Sequence, residues 1–200
     1  MNLKGWQSSF LRSNAMLKEG IRILAIDDSP FSKKDKEALA VGVLGRKGVI
    51  EGVISFCVKV DGSDSTKRII SKVKGSRFCN QIGLIALHGI TLAGLNLVDI
   101  VELNEKLKIP VVEMTRKTPS RKRLWNAMRT AGLKDLARRK KVLDRIEDNT
   151  QPMRSSGFHV QYLKIGRKDL KKHLDDSISL LRLAHIIASG IVKGESKGRL

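Results

Sequence analysis

The chain has 200 residues, 41% of them hydrophobic, which is enough for one domain with a buried core. Aromatic residues make up only 4%, so this core must consist mainly of aliphatic side chains. The chain carries 39 lysines and arginines against 20 aspartates and glutamates, a net charge of +19. Such a field attracts polyanions and predicts contact with nucleic acid, DNA or RNA. A ribosome-associated basic domain and a merely charged, thermophile-like surface are the alternatives.

The sequence predicts neither a membrane span nor a secretory signal. No stretch approaches the roughly 18 to 20 unbroken apolar residues that a span needs. The first 20 residues also lack the continuous apolar segment of a signal peptide. Cys57 and Cys79 have no metal-ligand spacing, and we interpret them as reduced thiols. We therefore expect a cytoplasmic protein.

The domain organisation is predicted to be simple. Residues 1–15 are polar and lack periodicity, which predicts a disordered extension, with Met16 as an alternative start of translation. Residues 16–200 contain no internal repeat and no long Pro- or Ser-rich linker, so we expect them to form a single domain.

The first half of this domain is rich in predicted strands. An apolar run at residues 21–26, ended by Asp27-Asp28-Ser29-Pro30, predicts a buried strand and a turn. Two β-rich runs at 38–44 and 49–60, joined through residues 45–48, predict an antiparallel hairpin. Residues 61–66 predict a turn and a helix cap, and the helix after them is followed by a strand at 82–87.

The second half alternates between helices and strands. Helices are predicted at 91–108, 124–146, 168–174 and 178–192, and strands at 109–115 and 158–165. Three strands followed by such an alternation predict an α/β fold in which helices cover a mixed sheet.

Several acids follow strands of this predicted sheet. Asp27 and Asp28 end the first strand, where ligands bind open α/β sheets, and carboxylates are suitable ligands for Mg²⁺ or Mn²⁺. Asp61 and Asp64 follow the third strand and could supply a second carboxylate to the same ion. The alternative is that the first pair caps a turn and that Asp64 caps a helix.

Other polar residues are predicted near the same edge. His88 ends a buried strand and could bind a metal or act as a base, although a purely structural histidine is an equal alternative. Residues 115–123 follow a strand, open a helix and carry the phosphate-contact candidates Arg121 and Lys122; a solvated charge run is the alternative. We interpret the basic residues 138–141 as a solvated helix face. No Walker or dinucleotide fingerprint is present, so no organic cofactor is predicted.

Several collinear blocks together resemble the archaeal endonuclease dU family, which is related to endonuclease V. They are residues 21–31, 60–66, 87–99, 109–112, 115–117 and 181–190. The resemblance covers the chain from about Met16 to its end. It implies a ribonuclease H-like fold and the Mg²⁺-dependent (or Mn²⁺-dependent) cleavage of a phosphodiester near a deaminated base, such as uracil, in DNA.

The resemblance also implies roles for individual residues. Asp27 matches the acid on the first strand, Asp61 or Asp64 stands near the second acid, and Asp28 takes a supporting role. His88 replaces the aspartate of a Leu-Asp-Gly sequence, so a weakened or inactive nucleic-acid-binding member of the family is the alternative function. The remaining implied contacts are Arg116 and Lys117, which face the phosphate, and Arg182 and His185, which share one face of the last helix.

Overall fold

The computed structural model describes residues 20–32 and 34–197. Within them the strands are β1 (Arg22–Asp28), β2 (Glu37–Arg46), β3 (Val49–Lys59), β4 (Ile82–His88), β5 (Thr91–Leu92), β6 (Asn96–Leu97), β7 (Val111–Thr115), β8 (Gln151–Ser155) and β9 (Phe158–Leu163). The helices are α1 (Ser65–Lys74), α2 (Ile100–Leu107), α3 (Arg121–Thr130), α4 (Leu136–Asn149) and α5 (Arg167–Lys193). The predicted extension at residues 1–15 lies outside the described residues.

Seven of the strands form one mixed sheet in the order β3-β2-β1-β4-β7-β9-β8. The hairpin β2–β3 is antiparallel, and β1 pairs with β2 in the same sense. The central strands β1, β4 and β7 are parallel, while β9 and β8 add an antiparallel pair at the far side. The predicted mixed sheet flanked by helices is therefore confirmed.

Helices cover both faces of the sheet and create two buried layers. Alternation along β1 sends Ile23 and Ala25 toward α5, where they pack near Ala184. Leu24 and Ile26 point to the opposite face, which is covered by α1 and α2. The same alternation sends Asp27 toward α5 and Asp28 toward the other layer. No helix in the described part of the chain is long and apolar enough to cross a membrane.

The prediction of a continuous helix over residues 91–108 was wrong. Residues 91–97 form the small hairpin β5–β6, and the helix begins only at Ile100. Ala93 and Gly94 turn this hairpin with φ angles of 47° and 86°. A Cβ at Gly94 would also collide with the Asp61 carboxylate, so this position requires glycine. Contacts distant in sequence therefore override the helical spacing of the apolar residues.

Three predictions in the last third of the chain also need correction. The helix expected at 124–146 is two helices, interrupted near Gly132, which has a φ of 66°. The two helices expected after Gly166 are one helix of 27 residues, α5. Strand β8 was not predicted, because it contains Pro152 and pairs only with β9, at the edge of the sheet.

Candidate active site at the carboxyl edge of the sheet

Asp27 lies at the carboxyl end of β1 and is almost completely buried, with 2% of its surface exposed. Both of its carboxylate oxygens contact an imidazole. Oδ1 lies 3.4 Å from Nδ1 of His88, and Oδ2 lies 3.1 Å from Nδ1 of His185. Oδ1 also accepts a hydrogen bond from the Asp28 backbone N–H at 3.0 Å. One buried carboxylate is thus shared by two histidines.

Three elements bring this trio together. The parallel strands β1 and β4 pair Ile26 with Leu87, so the next residues, Asp27 and His88, lie side by side at the strand ends. Helix α5 packs on the same face of the sheet and places His185 in contact with Asp27. The sequence placed Asp27 and His88 at one edge, but only the packing of α5 shows that His185 joins them.

The hydrogen on Nδ1 of each imidazole follows from the contact with the carboxylate between them. An ionised carboxylate only accepts hydrogen bonds, so each Nδ1 that bonds to Asp27 must carry a hydrogen. The contact with Asp27 raises the pKa of His88 above its ordinary value, although burial works against this shift. The Nε2 atoms are left for other partners, and that of His185 lies 3.4 Å from Oγ of Ser189.

Asp28 lies beside Asp27 but has a different backbone partner. Its Oδ2 accepts a hydrogen bond of 2.6 Å from the Ala93 backbone N–H and so holds the turn of hairpin β5–β6. Burial, followed by repulsion from Asp27, raises the pKa of Asp28 to about 6. Asp28 thus anchors a loop beside the site, and its supporting role in the chemistry stays a prediction.

The structure engages Asp61 and Asp64 elsewhere. Oδ1 of Asp61 accepts a hydrogen bond from the Leu95 N–H at 2.8 Å. Oδ1 of Asp64 accepts from the Asn96 amide at 2.7 Å, and its Oδ2 pairs with Arg68 at 3.2 Å. Partial burial raises the pKa of Asp64, but its hydrogen bonds outweigh this and hold the pKa below its ordinary value. Both acids brace the loops around β6.

This arrangement does not fit the Mg²⁺ site that was predicted. Magnesium prefers about six oxygen ligands in a regular octahedron, several of them water. The Asp27 oxygens face imidazoles, and Asp64 is paired with an arginine. Among residues 20–32 and 34–197, no group of three or more His, Cys, Asp and Glu is arranged to hold a metal ion. The ligand roles of Asp27, Asp61 and Asp64 stay predictions.

Comparison with known proteins identifies the family. The sequence matches the family model "Endonuclease dU" over residues 19–192. The chain belongs to the Endonuclease dU family. It is 38% identical over 190 residues to a UPF0215 protein of Methanothermobacter thermautotrophicus, covering 91% of this chain and 93% of the relative. A UPF0215 protein of Archaeoglobus fulgidus is 34% identical over 184 residues, with coverages of 89% and 97%.

Two solved structures resemble this Endonuclease dU family member. A crystal structure of a protein of unknown function from Archaeoglobus fulgidus has a TM-score of 0.75 and 31% identity, over 86% of this chain and 98% of that one. The catalytic domain of human Endonuclease V has a TM-score of 0.55 and 13% identity, over 92% and 86%. The second likeness concerns the fold alone, and it agrees with the fold expected from the sequence.

Two buried residues of this family member were missed in the sequence. Glu113 stands in β7 next to Leu87, with 2% of its surface exposed. Burial raises the pKa of Glu113 to about 8, and His88 opposes this shift. The visible signal was an acid inside the apolar run of β7.

Arg139 corrects the prediction that residues 138–141 form a solvated face. Its side chain is only 4% exposed and pairs with Asp135. Its guanidinium donates hydrogen bonds to the backbone carbonyls of Asp61, Gly62 and Leu95. Arg139 thus joins α4 to the loop between β3 and α1 and to the turn of hairpin β5–β6. Its neighbours in a densely basic helix are exposed, so the sequence offered no sign that this arginine is buried.

The predicted phosphate-contact residues lie after β7, at the start of α3 and within α5. Arg116 stacks over the Phe158 ring at 5.0 Å, while Lys117 and Lys122 are exposed. Arg121 forms an ion pair with Glu147 at the start of α3, which occupies part of its guanidinium. Arg182 is exposed on α5, one turn before His185. All five residues stay predictions as nucleic-acid contacts.

The loop contacts of Asp64 lead to a stability prediction. We expect Asp64→Ala to lower the free energy of unfolding by about 1–3 kcal/mol, because it removes the acceptor of the Lys59 N–H and one of the two acceptors of the Asn96 side-chain amide. Urea denaturation measures the loss, with Asp144→Ala on the exposed surface of α4 as the control. Mg²⁺ should raise the Tm of the wild type but not that of Asp64→Ala if Asp64 is instead a metal ligand.

Proposed function

We propose that this protein is an endonuclease that hydrolyses a phosphodiester beside a deaminated base, such as uracil, in DNA. The observation that carries this proposal is the buried Asp27 carboxylate held between His88 and His185 at the carboxyl edge of the sheet. Membership of the Endonuclease dU family and the net charge of +19 support it.

The trio has the groups that phosphodiester hydrolysis needs. A neutral imidazole can accept a proton from water, whose oxygen then attacks phosphorus. The P–O bond to the leaving oxygen breaks, and a protonated imidazole donates the proton that this oxygen requires. The raised pKa of His88 favours its protonated form and suits it as the acid, which leaves His185 as the base. Asp27 orients both rings and stabilises the positive charge that forms on them.

The basic residues around the edge supply substrate affinity in this scheme. Each lysine or arginine that reaches a phosphate releases a counterion, so binding is expected to weaken steeply as salt increases. Mg²⁺ is assigned no step, because the described side chains offer no ready site for it.

The test is cleavage of matched duplexes that differ in one base. End-labelled strands carry uracil or thymine at the same position, and each is incubated with Mg²⁺, with Mn²⁺ and with EDTA. We expect the uracil strand to be cut near the lesion and the thymine strand to stay intact. Equal cutting of both strands would contradict the specificity for deaminated bases. Cleavage in EDTA would indicate catalysis by the imidazoles alone, and cleavage only with Mg²⁺ or Mn²⁺ would indicate that an ion is also needed.

His88 favours one alternative, a family member that binds nucleic acid without cutting it. His88 stands where the resemblance has an aspartate, and its 3.4 Å contact with Asp27 is longer than an ordinary hydrogen bond. This alternative predicts salt-sensitive binding of the duplexes without cleavage in any arm. Restored cleavage in His88→Asp would favour this alternative strongly. A preference for structured RNA over the duplexes would indicate that the partner is RNA.

A further inference from the structure

The last turns of α5 form one wall of a groove beside the trio. The groove has a volume of about 450 Å³ and is lined by Pro30, His185, Ser189, Lys193, Glu195 and Lys197. The helix remains regular to Lys193, and Gly194 ends it in the left-handed conformation. Ile191 and Val192 are 64% and 51% exposed, so this end of α5 stands in solvent beside the sheet edge.

A stripe of side chains leads from the trio along this wall. His185, Ser189 and Lys193 are spaced four residues apart and therefore lie on one face of the helix. His185 contacts Asp27, and Ser189 lies within 3.4 Å of the other nitrogen of that imidazole. Lys193 follows about 12 Å along the helix axis from His185. The stripe thus runs from the candidate reaction centre to the exposed ammonium group of Lys193.

The charges of the groove favour an anion. Lys193 and Lys197 are exposed, and Glu195 is the one acid among the lining residues. Within residues 20–32 and 34–197, Lys193 has no ion-pair partner, whereas Lys172 earlier on the same helix is paired with Asp169. A lysine in the last turn also stabilises the helix dipole by a few tenths of a kcal/mol, so its role in the helix must be tested apart from its role in binding.

We propose that this groove holds the backbone of the substrate strand and that Lys193 contacts a phosphate neighbouring the one to be cleaved. This inference rests on the proposed function, because the trio defines where the cleaved phosphate lies. It names the substrate as a polynucleotide strand that continues past the reaction centre along α5. Ser189 stands between the two phosphates and positions His185 through its hydroxyl.

The test compares single charge changes on one helix. Binding of a fluorescein-labelled uracil-containing oligonucleotide is followed by anisotropy from about 50 to 200 mM salt. We expect Lys193→Ala to raise Kd about 3- to 10-fold at low salt. The slope of log K against log salt should fall by about 0.7 for a single-stranded probe or about 0.9 for a duplex, the values for one lost phosphate contact. Glu195→Gln should lower Kd.

Lys171→Ala is the matched control, since Lys171 is exposed on α5 about 33 Å from Lys193 along the helix axis. It should leave the slope unchanged, and a helix-dipole effect at Lys193 would alter Tm but not the slope. Equal slopes for Lys193→Ala and the wild type would overturn the inference even if uracil-dependent cleavage occurs. A reduced slope without any cleavage would support the groove as a binding site while the proposed nuclease activity fails.

Discussion

Asp27→Asn is expected to reduce the rate of cleavage by at least about 10³-fold, comparable to the loss of the orienting carboxylate in other catalytic triads. The amide keeps the size of the carboxylate but removes its charge. One of its two polar atoms then becomes a donor that cannot accept a hydrogen bond from an imidazole. Both histidines contact this carboxylate, so one substitution disturbs the orientation and protonation of both.

DNA binding by Asp27→Asn should be as strong as that of the wild type or stronger, because the variant removes a negative charge near the substrate. Single-turnover cleavage and anisotropy measure the two properties separately, and thermal denaturation shows whether the variant is folded. Asp144→Asn on the exposed surface of α4 controls for the loss of one acid. Cleavage by Asp27→Asn at the wild-type rate would exclude Asp27 from the chemistry.

Glu113→Gln is expected to stabilise the protein at alkaline pH and to have little effect at acidic pH. Burial raises the pKa of Glu113 from an ordinary value of 4.5 to about 8 in the folded chain. Between these two values the folded state retains a proton that the unfolded chain has released. Stability therefore falls as the pH rises through this window, by up to about 1.4 kcal/mol per unit.

The glutamine variant lacks this pH-dependent loss of stability. Its free energy of unfolding should therefore exceed that of the wild type by an amount that grows from about pH 5 to pH 8 and then levels off. At about pH 8 we expect the free energy of unfolding of Glu113→Gln to exceed that of the wild type by on the order of 3 kcal/mol. This is less than the full pKa difference implies, because the protein relaxes around a buried charge. Urea denaturation at several pH values measures it. Glu105→Gln is the control, because Glu105 is exposed and Arg145 holds its pKa below the ordinary value. A difference between Glu113→Gln and the wild type that does not change with pH would contradict the prediction.

Glu113 also shows why part of the site could not be read from the sequence. The sequence shows an acid inside an apolar run. Its burial and its pKa depend on the neighbouring strand and on the side chains that pack over it. Arg139 illustrates the same limit, because it looks like its exposed neighbours Arg138 and Lys140. Its burial comes from three backbone carbonyls, which belong to residues more than 40 positions away in the chain.

Local patterns were sufficient where one element is determined by its own residues. The strands β1, β2, β3 and β4 were predicted within about two residues at each end. Continuous apolar residues mark the buried strands β1, β2 and β4, and β-rich composition beside a short glycine-containing turn marks the more exposed β3. The hairpin β5–β6 was missed, since Asp28 and Asp61 hold its turn and neither contact is local. The long α5 was predicted as two pieces, because a polar stretch around Asp175 does not interrupt a helix that packs along the sheet.

The sequence by itself determined the basic charge, the mixed α/β architecture and the position of Asp27 and His88 at strand ends on one edge of the sheet. These properties follow from composition and from the period of apolar residues, which are local quantities. Only the tertiary structure decided that His185, 158 positions after Asp27, shares its carboxylate, and that Asp61 and Asp64 brace loops instead of facing it. The physical reason is that a side chain's partners depend on how helices pack on the sheet and how loops close around its edge.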